Sequence, residues 1–261
     1  MNHATKLVGL GMAALLMTAA MPVDSRADTP VLSEQVLGGV LDLTWFPGFN
    51  TPVRNMQPLT LDPSDPAYAN PSGDHTVGLA VNTIPDSGGI ILTCVDPGHF
   101  TTDYTWEAAM FTGAGNSRRG LVLRADPTNN FTSCYQFVVQ AGLLQINFRR
   151  LIGQSPTTLA TWFANSLPQF GGGLVPANTW IRLKVIAQGN SFRCFINDVE
   201  ITASPIVDAT PLASGWVGAY NFKFDTGLIP VYFDDFVLSA PDAAVTPTRS
   251  ATWGGVKARY R

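Results

Sequence analysis

The amino-acid sequence predicts an all-β fold made of two packed antiparallel sheets. Only 13% of the 261 residues are charged, and the chain holds 24 Gly and 19 Pro, a composition typical of turn-rich β proteins rather than helical bundles. Short apolar segments recur between turns that contain Gly, Asn, Asp or Pro. Several of these segments alternate apolar and polar residues, as strands with one buried face do.

Ten segments are predicted to be strands, and ten strands of this length imply two packed sheets. Each segment is rich in apolar or β-branched residues and is bounded by turn-forming residues. In chain order they are residues 76–81, 89–95, 104–111, 120–125, 135–141, 144–151, 179–187, 192–197, 215–220 and 231–239. Gly189-Asn190 and Asn197-Asp198 suit the positive φ of tight hairpins, and Gly218 suits a close approach of two strands.

The alternation also predicts a polar sheet face. In residues 180–186 the apolar side chains share one face of the strand, and Trp180, Arg182 and Lys184 occupy the other. Three other predicted strands show the same division. If these strands share a sheet, its outer face carries Arg124, Gln136, Gln140, Asn147, Arg149, Trp180, Arg182 and Lys184. Two interpretations stay open: an ordinary solvated face, or a groove for an oligo- or polysaccharide in which amides and cations bind hydroxyls or carboxylates and Trp180 stacks on a sugar.

The two ends of the chain differ from its middle. Residues 1–27 have a basic start that ends at Lys6, an uncharged run over 7–20 and Ser-Arg-Ala at 25–27, the three regions of a secretory signal peptide. We therefore expect a secreted protein, extracellular or periplasmic, with a single domain over residues 28–239. The alternative for residues 1–27 is an uncleaved membrane anchor.

A Pro/Ala/Thr linker over residues 240–250 and a basic aromatic tail over 251–261 are predicted to follow that domain. The tail carries Trp253, Tyr260 and three cations, and no acidic residue follows Asp242. It suggests attachment to the cell envelope or surface. A frayed tail without a role is the alternative.

Charge and cysteine content limit the classes of partner and metal. The formal net charge is -3, which argues against a nucleic-acid partner for the domain. Cys94, Cys134 and Cys194 are 40 and 60 residues apart, far from any C-x-x-C pattern, so a zinc or redox site is not expected. Buried free thiols and one disulfide with a leftover thiol both stay open.

The order of the longer motifs resembles the concanavalin A-like lectin/glucanase superfamily. These motifs are T-D-Y-T-W-E-A-A-M-F at 102–111, R-R-G-L-V-L-R-A-D-P at 118–127, N-T-W-I-R-L-K-V-I at 178–186, S-G-W-V-G-A-Y at 214–220 and V-Y-F-D-D-F-V-L at 231–238. The resemblance covers roughly residues 104–239 and is strongest to laminin-G-like domains and to 3-keto-disaccharide hydrolase-like domains of secreted bacterial proteins. It implies a jelly-roll sandwich whose concave face meets a glycan.

The carboxylates argue against an enzyme. Glycoside hydrolysis needs two carboxyl groups across the scissile bond, and related laminarinase-type enzymes place paired Glu residues on one strand. The chain has three Glu residues, Glu34, Glu107 and Glu200, which lie far apart in sequence. Glu107 is a weak catalytic candidate that would need Asp103 or Asp126 as a partner. We expect it instead in an ion pair with a cation on a neighbouring strand, such as Arg124.

Asp234 and Asp235 lie inside an apolar strand, between Phe233 and Phe236. Acidic groups in such a place are costly unless they are solvated or satisfied. The resemblance implies a structural Ca²⁺ held by an Asp of the closing strand together with backbone carbonyls, and oxygen ligands suit that ion. The alternative is an Asp that accepts backbone N–H bonds.

Together these features favour a secreted, non-catalytic carbohydrate-binding module. The alternatives are a glycoside hydrolase of the 3-keto-disaccharide hydrolase-like type and a structural surface or matrix protein without a small ligand.

Overall fold

The computed structural model describes residues 29–34, 40–48, 55–80, 90–98, 101–113, 117–140, 144–203, 205–224 and 231–240. The helical segments of this part of the chain are 3-10 turns at Pro127–Asn129, Ala164–Ser166 and Pro168–Phe170. No helix within it has the length and apolar character needed to cross a membrane. The predicted signal peptide, the linker beyond Ala240 and the basic tail lie outside the described residues.

The described part of the chain contains sixteen strands. They are β1 (Thr29–Glu34), β2 (Phe46–Pro47), β3 (Met56–Thr60), β4 (Thr76–Ala80), β5 (Ile90–Val95), β6 (Tyr104–Phe111), β7 (Ser117–Ala125), β8 (Cys134–Gln140), β9 (Gln145–Ile152), β10 (Ser155–Phe163), β11 (Trp180–Gln188), β12 (Ser191–Ile196), β13 (Val199–Glu200), β14 (Ile206–Val207), β15 (Trp216–Lys223) and β16 (Val231–Ala240).

The strands form two antiparallel sheets. Sheet A has the order β13-β12-β11-β6-β16-β4-β3, with β1 beside β16 and β14 beside β12. Sheet B has the order β10-β9-β8-β7-β15-β5-β2. β6 and β7 follow each other in the chain but belong to opposite sheets, as do β15 and β16. The predicted two-sheet antiparallel sandwich is confirmed.

The main core lies between the two sheets and is built by the predicted alternation. Ile181, Leu183 and Val185 on β11 are at most 2% exposed and belong to the same apolar cluster as residues of sheet B such as Phe137. Trp106 on β6 is fully buried, and its Nε1 donates a 3.0 Å hydrogen bond to the Gly218 carbonyl on β15. This bond joins the two sheets and satisfies the polar atom of a core indole.

The turn and glycine predictions are confirmed except at one position. Gly189 has φ of 55°, but the φ of Asn190 is not positive. Asn197 and Asp198, between β12 and β13, have φ of 50° and 62°, as a tight hairpin requires. A Cβ on Gly218 would stand 2.1 Å from the Thr93 carbonyl oxygen. Only glycine lets β15 approach β5 this closely.

The three cysteines are free and buried. Of the two alternatives that the sequence left open, the structure has the free thiols. Burial raises the pKa of the Cys134 thiol to about 12, although Gln136 and Arg149 act in the opposite direction. A neutral thiol of this kind is unreactive at physiological pH.

Candidate functional site

The polar face predicted from sequence is divided between the two sheets. Gln136, Asn147 and Arg149 lie on β8 and β9 of sheet B, whereas Trp180 begins β11 of sheet A. β11 pairs with β6 and β12, and β8 pairs with β7 and β9. The condition that all these strands share one sheet is therefore not met, and their polar residues form two surfaces on opposite sides of the sandwich.

The cations on the outer face of sheet A are paired with carboxylates. Arg182 lies 3.4 Å from Glu107 Oε1 and 3.0 Å from Asp235 Oδ2. Lys184 lies opposite Glu107 in the strand register and contacts Asp198 Oδ1 at 2.7 Å. The ion pair predicted for Glu107 is present, but its partners are Arg182 and Lys184. Arg124, the partner we expected, lies in the other sheet.

Trp180 is used for packing. Its Nε1 donates a 3.1 Å hydrogen bond to the Ala67 carbonyl, and its ring lies 5.4 Å from the ring of Phe111. The loop over residues 61–75 covers this part of sheet A. The indole is therefore held between the sheet and this loop rather than presented as an open stacking surface.

Arg124 is buried at one end of the sandwich instead of lying on an outer face. Its guanidinium donates to the carbonyls of Leu212, Thr102 and Gly189 at 2.6 to 2.8 Å, and it lies 5.0 Å from the centroid of the Phe192 ring. Arg124 thus connects three loops. Arg124 does not lie on the predicted outer face, because the left-handed backbone at this residue, φ 47°, interrupts the alternation.

The outer face of sheet B does bring several predicted residues together. Arg149 is 6% exposed and donates from Nε to Gln136 Oε1 at 2.8 Å. Its guanidinium lies 5.3 Å from the centroid of the Tyr220 ring. Asn147, on the same strand, accepts a hydrogen bond from Thr161 at 2.9 Å, and Gln140 lies at the end of β8, 7% exposed.

A cleft of about 170 Å³ opens beside Arg149. We call it the sheet B cleft, and its lining residues are Arg118, Arg149, Leu151, Gln154, Pro156, Tyr220 and Phe222. Sequence reasoning missed Arg118, Tyr220 and Phe222. The signal for Arg118 was available, because extending the alternation of Gly120 and Val122 by one step places Arg118 on the same face.

The cleft is cationic. The guanidinium of Arg118 lies 4.9 Å from the centroid of Phe224. Burial lowers its pKa, and the positive charge of Arg149 lowers it further. Within the described ranges neither arginine forms an ion pair, and no acidic residue lines the cleft. The arrangement offers N–H donors next to aromatic rings, which suits a ligand with oxygen acceptors and an apolar face.

The acidic pair of the closing strand has the geometry of hydrogen-bond acceptors. Asp234 is fully buried; its Oδ2 accepts from Asn70 Nδ2 and Ser72 N at 3.0 Å, and its Oδ1 accepts from Asp235 N at 2.9 Å. Asp235 is bound to Arg182. No group of three His, Cys, Asp or Glu side chains that could hold a metal occurs in the described part of the chain. These contacts match the alternative of an Asp that accepts N–H bonds, and they would compete with a calcium ion for the same oxygens.

Comparisons with known proteins bear on the fold. No protein-family model matches the chain, and no curated protein matches its sequence. The carbohydrate-binding module CBM66 from Bacillus subtilis is similar in structure, with a TM-score of 0.50 and 16% identity over 76% of this chain and 98% of that module. The GH43 protein BlXynB from Bacillus licheniformis also has a TM-score of 0.50, with 12% identity over 80% of this chain and 39% of that protein. The chain therefore has a two-sheet antiparallel β-sandwich fold similar to that of the CBM66 module.

Proposed function

We propose that the protein is a secreted, non-catalytic carbohydrate-binding module that holds a glycan in the sheet B cleft. One observation carries the proposal: Arg118 and Arg149, which have no carboxylate partner in the part of the chain that the structure describes, converge with Tyr220 and Phe222 around one opening. The fold shared with a carbohydrate-binding module supports it.

The chemistry of the cleft matches that of a sugar. A sugar ring presents hydroxyl oxygens at its edge and C–H groups on its face. The guanidinium N–H groups can bind the oxygens, and Phe222 with Leu151 and Pro156 can contact the C–H face. At about 170 Å³ the cleft is smaller than the roughly 300–1,000 Å³ of a pocket for a drug-sized ligand. It therefore suits one sugar unit of a longer chain.

The positions of the acidic groups favour binding over hydrolysis. Glu107 is ion-paired on sheet A. Asp103 accepts the Gly189 N–H at 2.7 Å, and Asp126 accepts the Thr128 N–H at 2.9 Å. None of these three carboxylates lines the sheet B cleft. The glycoside hydrolase alternative would need two carboxyl groups at the bound glycan.

The proposals that the protein is secreted and that it attaches to the cell envelope or surface rest on the two ends of the chain. The basic, apolar and small-residue regions of residues 1–27 support export. The cations and aromatic residues of the tail over 251–261 support attachment to the envelope or surface. Deleting residues 249–261 is expected to release the protein from the cell fraction, and unchanged localisation would contradict this role.

A glycan-array screen of the full chain tests the proposed function. The site variant is Phe222→Ala, and the matched control is Tyr68→Ala, an aromatic residue stacked on His75 outside the cleft. We expect binding to at least one glycan, a loss of ten-fold or more in Phe222→Ala and unchanged binding in Tyr68→Ala. Thermal melting of each variant checks that it folds.

Three results would overturn the proposal. Absence of binding to every glycan would favour the structural alternative. Binding that Phe222→Ala leaves unchanged would place the site elsewhere. Release of reducing ends from the bound glycan would favour the hydrolase.

A further inference from the structure

We propose that the sheet B cleft recognises an acidic sugar, through a carboxylate bound between Arg118 and Arg149. This inference rests on the proposed function and names the class of glycan.

The charges on the rest of the surface set these two arginines apart. Arg150, Arg182, Lys184 and Arg193 each contact a carboxylate of this chain. Arg118 and Arg149 have no such partner among the described residues. Burial lowers the pKa of Arg118, and the positive charge of Arg149 lowers it further. Two like charges beside a partly buried cleft are unfavourable on their own. An anion in the cleft would relieve this repulsion.

The hydrogen-bonding state of Arg118 points the same way. Its Nε is buried and has no hydrogen-bond partner among the described residues. The Nε atoms of Arg124 and Arg150 share this state away from the cleft, but Arg118 differs from these two in lining an opening. Because buried N–H groups are almost always satisfied, an acceptor that enters the cleft would be favoured here. A carboxylate has two oxygens that match the parallel N–H groups of a guanidinium.

Arg149 is held in place before any ligand binds. Gln136 accepts its Nε–H, and the Tyr220 ring lies under its guanidinium. Because the side chain is 6% exposed, little conformational entropy remains to be lost on binding. The site is therefore built to meet an anion at a fixed place.

The apolar wall favours a sugar acid over a free inorganic anion. Leu151, Pro156 and Phe222 line the cleft beside the two cations. A sulfate or phosphate ion would leave these side chains uncontacted, whereas a uronic acid places its ring against them and its carboxylate against the arginines. We therefore infer a uronic-acid unit within a glycan.

The test compares acidic oligosaccharides with neutral counterparts of the same stereochemistry. The probes are oligomers of galacturonate, glucuronate, mannuronate and guluronate, each paired with its carboxyl-reduced form, titrated into the full chain by calorimetry. The site variant is Arg118→Gln, and the matched control is Arg193→Gln on sheet A. Inorganic sulfate and a sulfated neutral glycan are tested in parallel as other sources of negative charge.

We expect at least one uronate oligomer to bind ten-fold or more tightly than its reduced form. Arg118→Gln should remove that preference, Arg193→Gln should keep it, and sodium chloride should weaken binding. Equal binding of both forms, a preference that survives Arg118→Gln, or no uronate binding overturns the inference. Inorganic sulfate binding as tightly as the uronate, or a preference for the sulfated glycan, also overturns it.

The two proposals fail in different ways. If a neutral glycan binds and Phe222→Ala abolishes that binding, the cleft is a glycan site but not an acidic one. If no glycan binds, both proposals fall.

Discussion

Arg149 donates a hydrogen bond from Nε to Oε1 of Gln136 across 2.8 Å, and the two residues are direct partners in the β8–β9 register. This hydrogen bond occupies the Nε edge of the guanidinium and fixes the orientation of the guanidinium plane. Gln136 is fully buried, so it acts as a positioning residue for Arg149.

The first prediction uses two substitutions of Gln136 to distinguish the positioning of Arg149 from the charge of Arg149. Gln136→Met removes the acceptor and should destabilise the fold by about 1 kcal/mol, with a several-fold loss of glycan affinity. Gln136→Glu keeps an acceptor but neutralises Arg149. It should retain stability and still lose affinity for an acidic glycan. Urea denaturation and calorimetric titration measure the two effects. Equal glycan affinity in all three proteins would contradict the positioning role.

The second prediction concerns Arg124, which the structure gives a structural role. Arg124→Met leaves three loop carbonyls without their donor and should lower the free energy of unfolding by about 2–4 kcal/mol. Arg193→Met removes an ion pair with Glu200 on the surface and should change it by about 1 kcal/mol or less. Urea denaturation at neutral pH measures both. If the Arg124→Met variant were as stable as the parent protein, the role of Arg124 in joining the loops would be contradicted.

The third prediction is a loss of stability in acid from Asp74. Burial would raise the pKa of Asp74, but hydrogen bonds from Thr76, Ser72 and Asn70 outweigh it and lower the pKa to about 2. Because the folded pKa is below the ordinary value of 3.8, the stabilisation is present above pH 4 and is lost as pH falls towards 2. We expect about 1 kcal/mol for this partly exposed group.

Unfolding of the parent and of Asp74→Ala between pH 6 and pH 2 measures this effect. The difference between the two proteins should shrink as pH falls. A difference that stays constant across this range would show that Asp74 does not titrate as described.

The fourth prediction concerns Asp234 and calcium. Asp234→Ala leaves the backbone N–H groups of Ser72 and Asp235 without this acceptor, and it removes one of the acceptors of Asn70 Nδ2. The substitution should cost about 2–3 kcal/mol. Since these donors occupy the carboxylate oxygens, calcium or a chelator should leave the melting temperature of the parent protein unchanged. A rise with calcium that disappears in Asp234→Ala would restore the calcium site.

Asp234 should also make the protein less stable as pH rises above 4. Burial raises its pKa, although hydrogen bonds from Ser72 and Asp235 oppose this. A carboxyl with a raised folded pKa contributes its stabilisation below the unfolded pKa, near 3.8, and loses it as pH rises through the folded value. This component has the opposite sign to that of Asp74, and Asp234→Ala removes it.

The strands that sequence predicted best bury one face, as β11 does, or both faces, as β6 does. Residues 104–111 were predicted and form β6, and residues 179–187 differ from β11 by one position at each end. β10 was missed because it is an edge strand whose residues are mostly exposed. Its apolar residues Leu159, Ala160 and Trp162 are only partly buried against the core and do not alternate strictly with polar residues. Pro156 near its start weakens the strand pattern further.

The site was predicted only in part because periodicity describes one strand at a time. It shows which side chains share a face of β11, but not that β11 pairs with β6, some 70 residues earlier in the chain. Gln136, Asn147 and Arg149 could be grouped because β8 and β9 are consecutive and adjacent. Arg118 and Tyr220 join them through the non-local β7–β15 pairing.

Amide hydrogen exchange of the full chain, with and without the glycan found by array, tests most directly the claim that the sheet B cleft is the binding site. The Gly153-Gln154 turn borders the cleft, whereas the Asn197-Asp198 turn lies beside the Lys184 ion pairs on sheet A. We expect the glycan to slow exchange at the first turn and leave the second unchanged. Slowed exchange at the Asn197-Asp198 turn with no change at Gly153-Gln154 would contradict the account.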